Sequence, residues 1–144
     1  MATLTLERTL TELDHRRLTN LQARRRRAGD RFAHDPTPTE AIDDLLDACT
    51  LVPPREVPPD VVTMYSQLLL RELDTGAQRK IAVSYPDDAE PAAGFVSVLS
   101  PLGSALLGLR VGSVARWTTP SGEERAAEIV AVLFQPEDSG DYAL

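Results

Sequence analysis

The sequence predicts an α+β protein, in which two amphipathic helices precede an antiparallel sheet that carries one short helix on a face. Three observations support this. Residues 100–112 read as a capped helix between two strands: Ser100 can N-cap it, Pro101 fits the first helical position where a missing N–H costs nothing, and Gly108 can end it in the left-handed conformation. Apolar runs with strand character flank two turn signals, Asp74-Thr75-Gly76 and Pro120-Ser121-Gly122. Two helical stripes lie ahead of a proline-rich break at residues 53–59.

Taken in order, Thr3 to Thr9 begins with alternation and predicts a short strand. Thr11 with Asp14 is a capping box in which Asp replaces the usual Glu. Leu10, Leu13, Leu18 and Leu21 then share one stripe, and the helix is expected to run to Ala28, with Gly29 as its stop. Roughly 17 residues give a rod of about 26 Å. A loop with Pro36 and Pro38 follows, and Thr37 or Thr39 caps a second helix through Ala48 or Cys49. Its stripe is Ala41, Ile42, Leu45, Leu46 and Cys49, so the pair reads as an antiparallel helical hairpin, a short coiled coil. Val52 to Pro59 holds four prolines and cannot continue a helix or join a sheet interior. The expected organisation is therefore a hairpin over 1–52, a semi-rigid linker over 53–59 and a second domain over 60–144.

In that domain, strands are expected at 64–73, 78–85, 95–99, 114–118 and 125–134, with a polar loop over 86–94. The helix between the third and fourth strands has room for about two turns, so packing of Leu102, Leu106 and Leu107 must stabilise it.

With 144 residues the chain is long enough for one full domain plus an appendage. Aromatic residues make up only 5%, which leaves the core to aliphatic packing. Cys49 is the single cysteine, so no internal disulfide can form, which suits a reducing compartment. No apolar run reaches about 18 residues and no signal-peptide pattern is present; a soluble, cytoplasmic protein without a membrane partner is expected. The net charge of −7 is uneven: residues 1–52 carry −1, from eight Arg against nine acids, and residues 53–144 carry −6. An acidic second half argues against gripping phosphates and suits a partner with a basic surface.

The string Ser100 to Gly112 resembles the signature of the C-terminal domain of the Gre transcription factors. Together with Pro58 to Met64 and the tail from Phe134 to Leu144, it resembles the regulator-of-nucleoside-diphosphate-kinase family, a shortened relative of those factors. The resemblance implies an FKBP-like C-terminal fold and RNA polymerase as partner. In Gre factors the loop entering the short helix contacts a coiled coil at the rim of the polymerase secondary channel. Those contacts map to Ser100, Pro101 and Leu102, although Leu99 stands where the cleavage factors tend to carry a polar residue. The implied function is a non-enzymatic regulator that docks at the secondary channel, competes with Gre-type factors and does not cleave RNA. The family name adds a link to nucleoside diphosphate kinase.

Other residues offer chemistry of their own. Arg24, Arg25, Arg26 and Arg27, with Arg31, are candidate contacts to a channel or to nucleic acid. Four consecutive side chains spread around a helix, however, and a solvated helix end is the favoured reading. Asp30 and Asp35, with His34, invite a comparison with the magnesium-holding tip acids of Gre hairpins, but Arg27 and Arg31 flank them and would weaken divalent binding. No metal or cofactor is expected. His15 and His34 are too few for a histidine site. Cys49 reads as a small hydrophobe, and Trp117 as sheet packing. An FKBP-like peptidyl-prolyl isomerase is an alternative from another class. It needs an aromatic-lined proline pocket, whereas Tyr65, Tyr85, Phe95, Trp117, Phe134 and Tyr142 are spread over separate elements. A nucleic-acid binder using the arginine cluster is the third reading. A monomer is expected.

Overall fold

A computed structural model describes residues 8–27, 37–138 and 140. The elements in chain order are β1 (Thr9–Thr11), α1 (Glu12–Arg27), α2 (Thr37–Ala48), β2 (Thr50–Val52), β3 (Gln67–Glu72), β4 (Gln78–Ser84), β5 (Phe95–Ser97), α3 (Pro101–Leu106), β6 (Val114–Thr118) and β7 (Glu124–Phe134). The chain is thus a mixed α+β protein.

Helices α1 and α2 span most of the two striped segments, while Leu10, expected on the first stripe, lies in β1. Thr11 Oγ1 accepts from the Asp14 N–H at 3.0 Å, so the forward half of the capping box is present. The return half is not: the Asp14 carboxylate turns away from the helix and accepts from the Met64 N–H. Gln22 Nε2 donates to Asp43 Oδ1, and His15 Nε2 lies 3.1 Å from the Leu46 carbonyl, so α1 and α2 pack side by side in opposite directions. The strand expected over 3–9 falls mostly outside the described residues. The strand observed is Thr9–Thr11, and it pairs in parallel with Thr50–Val52, a partner the alternation did not reveal.

The main sheet has the order β5-β4-β3-β7-β6. Tight turns join β3 to β4 and β6 to β7; Gly76 and Gly122 take φ of +73° and +92° there, which L side chains rarely adopt. One pairing corrects the expected antiparallel sheet: β5 runs parallel to β4, with Ala82 opposite Phe95 and Ser84 opposite Ser97. The intervening residues 85–94 are too many for a hairpin turn, and they carry the chain back to the start of β5. On the way, Glu90 exchanges two backbone hydrogen bonds with Phe95, at 2.9 and 3.1 Å. Two short 3-10 turns, Pro86–Asp88 and Pro91–Ala93, punctuate this return.

A second correction concerns the start of β3. Met64 to Ser66 were expected in the strand, but they form a turn. The Thr63 N–H donates to Ser66 Oγ at 2.9 Å, and Tyr65 takes a φ of +65°. A non-glycine residue in that region costs on the order of 1–2 kcal/mol. It is held there by its N–H, which donates to the Val83 carbonyl at 2.7 Å, and by its hydroxyl, which donates to Asp88 Oδ2.

One hydrophobic cluster runs through the described residues. Leu68, Leu70, Ile81, Val83 and Ile129 of the sheet meet Leu102, Leu106 and Leu107, and Leu10 from β1 with Leu18, Ile42 and Leu45 from the helix pair join them. Two further anchors tie the chain together. The Thr9 N–H donates to the Gly108 carbonyl at 3.0 Å, and Gln135 Nε2 donates to the carbonyls of Pro58 and Val61, both at 2.8 Å. Within the expected linker, Pro54–Glu56 forms a 3-10 turn and Val57 is buried.

Candidate functional site

The candidate site is the corner between β5 and α3. The Ser100 hydroxyl satisfies both sides of it: Oγ accepts from the Gly103 N–H at 3.1 Å and donates to the Ser97 carbonyl at 2.7 Å. Ser97 Oγ in turn accepts from the Leu99 N–H at 3.1 Å. Pro101 occupies the first helical position, as its fixed φ favours. The turn is therefore determined by local chemistry, and the backbone at Pro101 is rigid.

The three residues predicted to face a partner differ in access. Pro101 is half-buried and presents ring surface to solvent. Ser100 is half-buried, with its hydroxyl engaged as described. Leu102 is only 9% exposed and belongs to the core cluster, as does Leu99 at 8%. The helix is pressed onto the strand by a missing side chain: a Cβ on Gly103 would stand 2.0 Å from the Ser97 carbonyl oxygen. Because β4 and β5 are parallel, their C-terminal ends finish together, and the Val98 N–H donates to the Ser84 carbonyl at 2.8 Å. Exposed Asp87 and Asp88 follow β4 at that same end.

The far end of α3 is held by a residue that the sequence reading passed over. Arg8 Nη1 donates to the carbonyls of Ser104, at 2.6 Å, and Leu107, at 3.3 Å. A cation on the last carbonyls of a helix is favoured by hydrogen bonding and by the helix dipole. The sequence signal was the lone Arg beside β1, which the Arg24–Arg27 run overshadowed.

The arginine run does not converge with this corner in any contact among the described residues. Arg24 is exposed; Arg25, Arg26 and Arg27 complete α1, and their side chains lie outside the described residues, as does Arg31. Asp30, His34 and Asp35 also fall outside them. Arg17, by contrast, is drawn inward, and its charge lies near Asp14, Tyr65 and Tyr85. The Tyr65 and Tyr85 rings are 5.8 Å apart and tilted by 56°. Burial, with the Asp88 carboxylate as acceptor, pushes the Tyr65 hydroxyl up to about 12, so it stays protonated as a donor. Sequence reasoning also missed Thr63 and Glu137, whose side chains hydrogen-bond at 2.7 Å; Glu137 lies in the tail that carried part of the resemblance.

Comparison with known proteins places the chain. Residues 57–134 match the family model "Transcription elongation factor, GreA/GreB, C-term". The Regulator of nucleoside diphosphate kinase of Escherichia coli strain K12 is 39% identical over 105 residues, 73% of this chain and 77% of that one. Transcription elongation factor GreA of Thermotoga maritima is 34% identical over 92 residues, 64% of this chain and 58% of that one. Among solved structures, the prokaryotic transcription elongation factor GreA/GreB from Nitrosomonas europaea superposes with a TM-score of 0.68 at 30% identity, covering 89% of this chain and all of that chain. The protein belongs to the GreA/GreB transcription-factor family, and within it resembles the regulators of nucleoside diphosphate kinase.

Proposed function

We propose that the protein is a non-enzymatic regulator that binds RNA polymerase at the rim of the secondary channel through the β5–α3 corner. The observation that carries this reading is the corner itself. Pro101 stands half-exposed on a backbone held by Ser97, Ser100 and Gly103, within the 57–134 segment common to Gre factors. A rigid apolar projection loses little entropy on binding. Pro101 is thus the contact residue, Ser100 shapes the corner, and Leu102 supports it from the core. The helix pair is the second functional part. Its longer member, α1, has 16 residues, about 24 Å of rod. That length suits entry into a channel and competition with Gre-type factors without RNA cleavage. The arginines at its end would meet the channel or its nucleic acid, and the family link to nucleoside diphosphate kinase would follow from transcription.

The isomerase reading gains no support. The groove beside Trp117 has a volume of about 250 Å³, and its other lining residues, among them Asp74, Arg116, Glu124 and Arg125, are polar, charged or small. A proline pocket needs converging aromatic walls.

The test is a pulldown of core RNA polymerase, run beside a transcript-cleavage assay on backtracked complexes. Pro101→Asp should lower affinity at least about tenfold while circular dichroism stays unchanged, because an acid at the first helical turn is well tolerated. Unchanged binding by the folded variant would remove the docking assignment. Magnesium-dependent cleavage that disappears on Asp30→Ala or Asp35→Ala would overturn the non-cleaving reading.

A further inference from the structure

The helix pair joins the rest of the chain without a linker. Thr9–Thr11 runs straight into Glu12, the first residue of α1. At the other end Ala48 closes α2, and Thr50–Val52 pairs at once with Thr9–Thr11. Both ends of the pair therefore stand on one small sheet, and that sheet stands on the C-terminal end of α3. The Thr9 N–H donates to the Gly108 carbonyl, and the Thr50 N–H to the Arg8 carbonyl at 2.9 Å. The approach is close: a Cβ on Gly108 would lie 3.1 Å from the Arg8 Cβ and 3.2 Å from the Thr9 carbonyl oxygen. Arg8 then clamps the Ser104 and Leu107 carbonyls. A second clamp lies further along, where the buried Asp14 of α1 accepts from the Met64 N–H at 3.2 Å. Its partner belongs to the turn before β3, not to α3. One fixed point leaves a rod free to swing, whereas two points on different supports define its direction. The shared core does this poorly by itself, because apolar contact is non-directional and hydrogen bonds are directional.

We propose that Arg8 and Asp14 are positioning residues, which hold the helix pair at one direction relative to the Ser100–Pro101 corner before any partner is met. Its functional meaning rests on the docking reading above. The corner lies at one end of α3 and Arg8 at the other, and α3 is six residues long, about 9 Å of rise. Docking at the corner then delivers the rod to one place in the channel, and little ordering is left for the encounter to supply. Neither Arg8 nor Asp14 needs to touch the polymerase for this.

Spin labels at two exposed positions, Asn20→Cys on α1 and Asp87→Cys beside the corner, test this on the chain alone, with Cys49→Ala as background. Pulsed electron resonance should give one narrow distance distribution. Arg8→Met and Asp14→Ala should each broaden it at least about twofold, as loss of a directional restraint requires. Arg8→Lys and Asp14→Asn, which keep a donor and an acceptor, should restore the narrow form. A merely stabilising role would lower the urea midpoint without widening the distances. A broad wild-type distribution, or variants as narrow as the wild type, would overturn the proposal. Should one variant fail to fold, the other decides; failure of both would mark stability residues and count against it. A photocrosslinker at Asn20 carries the test to core RNA polymerase. Arg8→Met should crosslink about tenfold less than the wild type at saturating protein, because fewer rods point the right way while the corner stays docked. An equal yield would overturn the positioning role. A wild type that does not bind polymerase would remove the docking reading and leave the distance result standing.

Discussion

The two ends of α3 are held by different kinds of residue. At its N-terminus the restraints are local: Ser97, Ser100 and Gly103 lie within seven residues and exchange the bonds that shape the corner. At its C-terminus the restraint is Arg8, 96 and 99 positions away from the carbonyls it binds. A helix of six residues is too short to persist without such help. The local end presents the corner proposed to dock, and the distant end makes the position of that corner depend on the strand that leads into α1.

Substitutions can break this contrast. The largest effect is expected from Gly103→Ala. Its Cβ meets backbone rather than a flexible side chain, so α3 must lift from β5, at about 3 kcal/mol or more. Urea denaturation should show this, and polymerase binding should fall with it. Arg8→Met comes next. It keeps much of the aliphatic stem but leaves the buried Ser104 and Leu107 carbonyls without the guanidinium, a loss of about 2 kcal/mol. If α3 is held from afar, amide exchange should rise at Leu107 and Gly108 while the corner stays protected. Ser100→Ala is the mildest, at about 1 kcal/mol, with exchange rising at Gly103 instead. Equal responses at both ends in the two variants would mean that α3 moves as one body and that the contrast has no energetic meaning.

Much of the fold was legible because its signals are local. The cap at Ser100, the proline at position 101 and the glycine turns at 76 and 122 each specify backbone conformation within a few residues. The stripes of α1 and α2 were legible for the same reason: a 3.6-residue period shows which face is buried. What that face packs against is not encoded in the period, so the meeting of Leu10, Leu18, Ile42 and Leu45 with the sheet core could not be read. The direction of β5 escaped too, because Phe95–Ser97 reads alike whether it runs with or against β4. Of the expected contact residues, Leu102 was also expected to pack, and it is buried: a leucine at the second position of a capped helix points to core or solvent according to what covers it.

The chain's own pattern was enough to establish the α+β class, the capped helix, the turns and the resemblance to Gre factors. Each of these depends on neighbours in sequence, where sterics and hydrogen bonding act over a few residues. The roles of Arg8, Asp14, Gln135 and Glu137 depend on groups that come together when the chain folds. A surface-type residue becomes an anchor only when folding removes its water and supplies a partner, and both events occur between segments far apart in the chain.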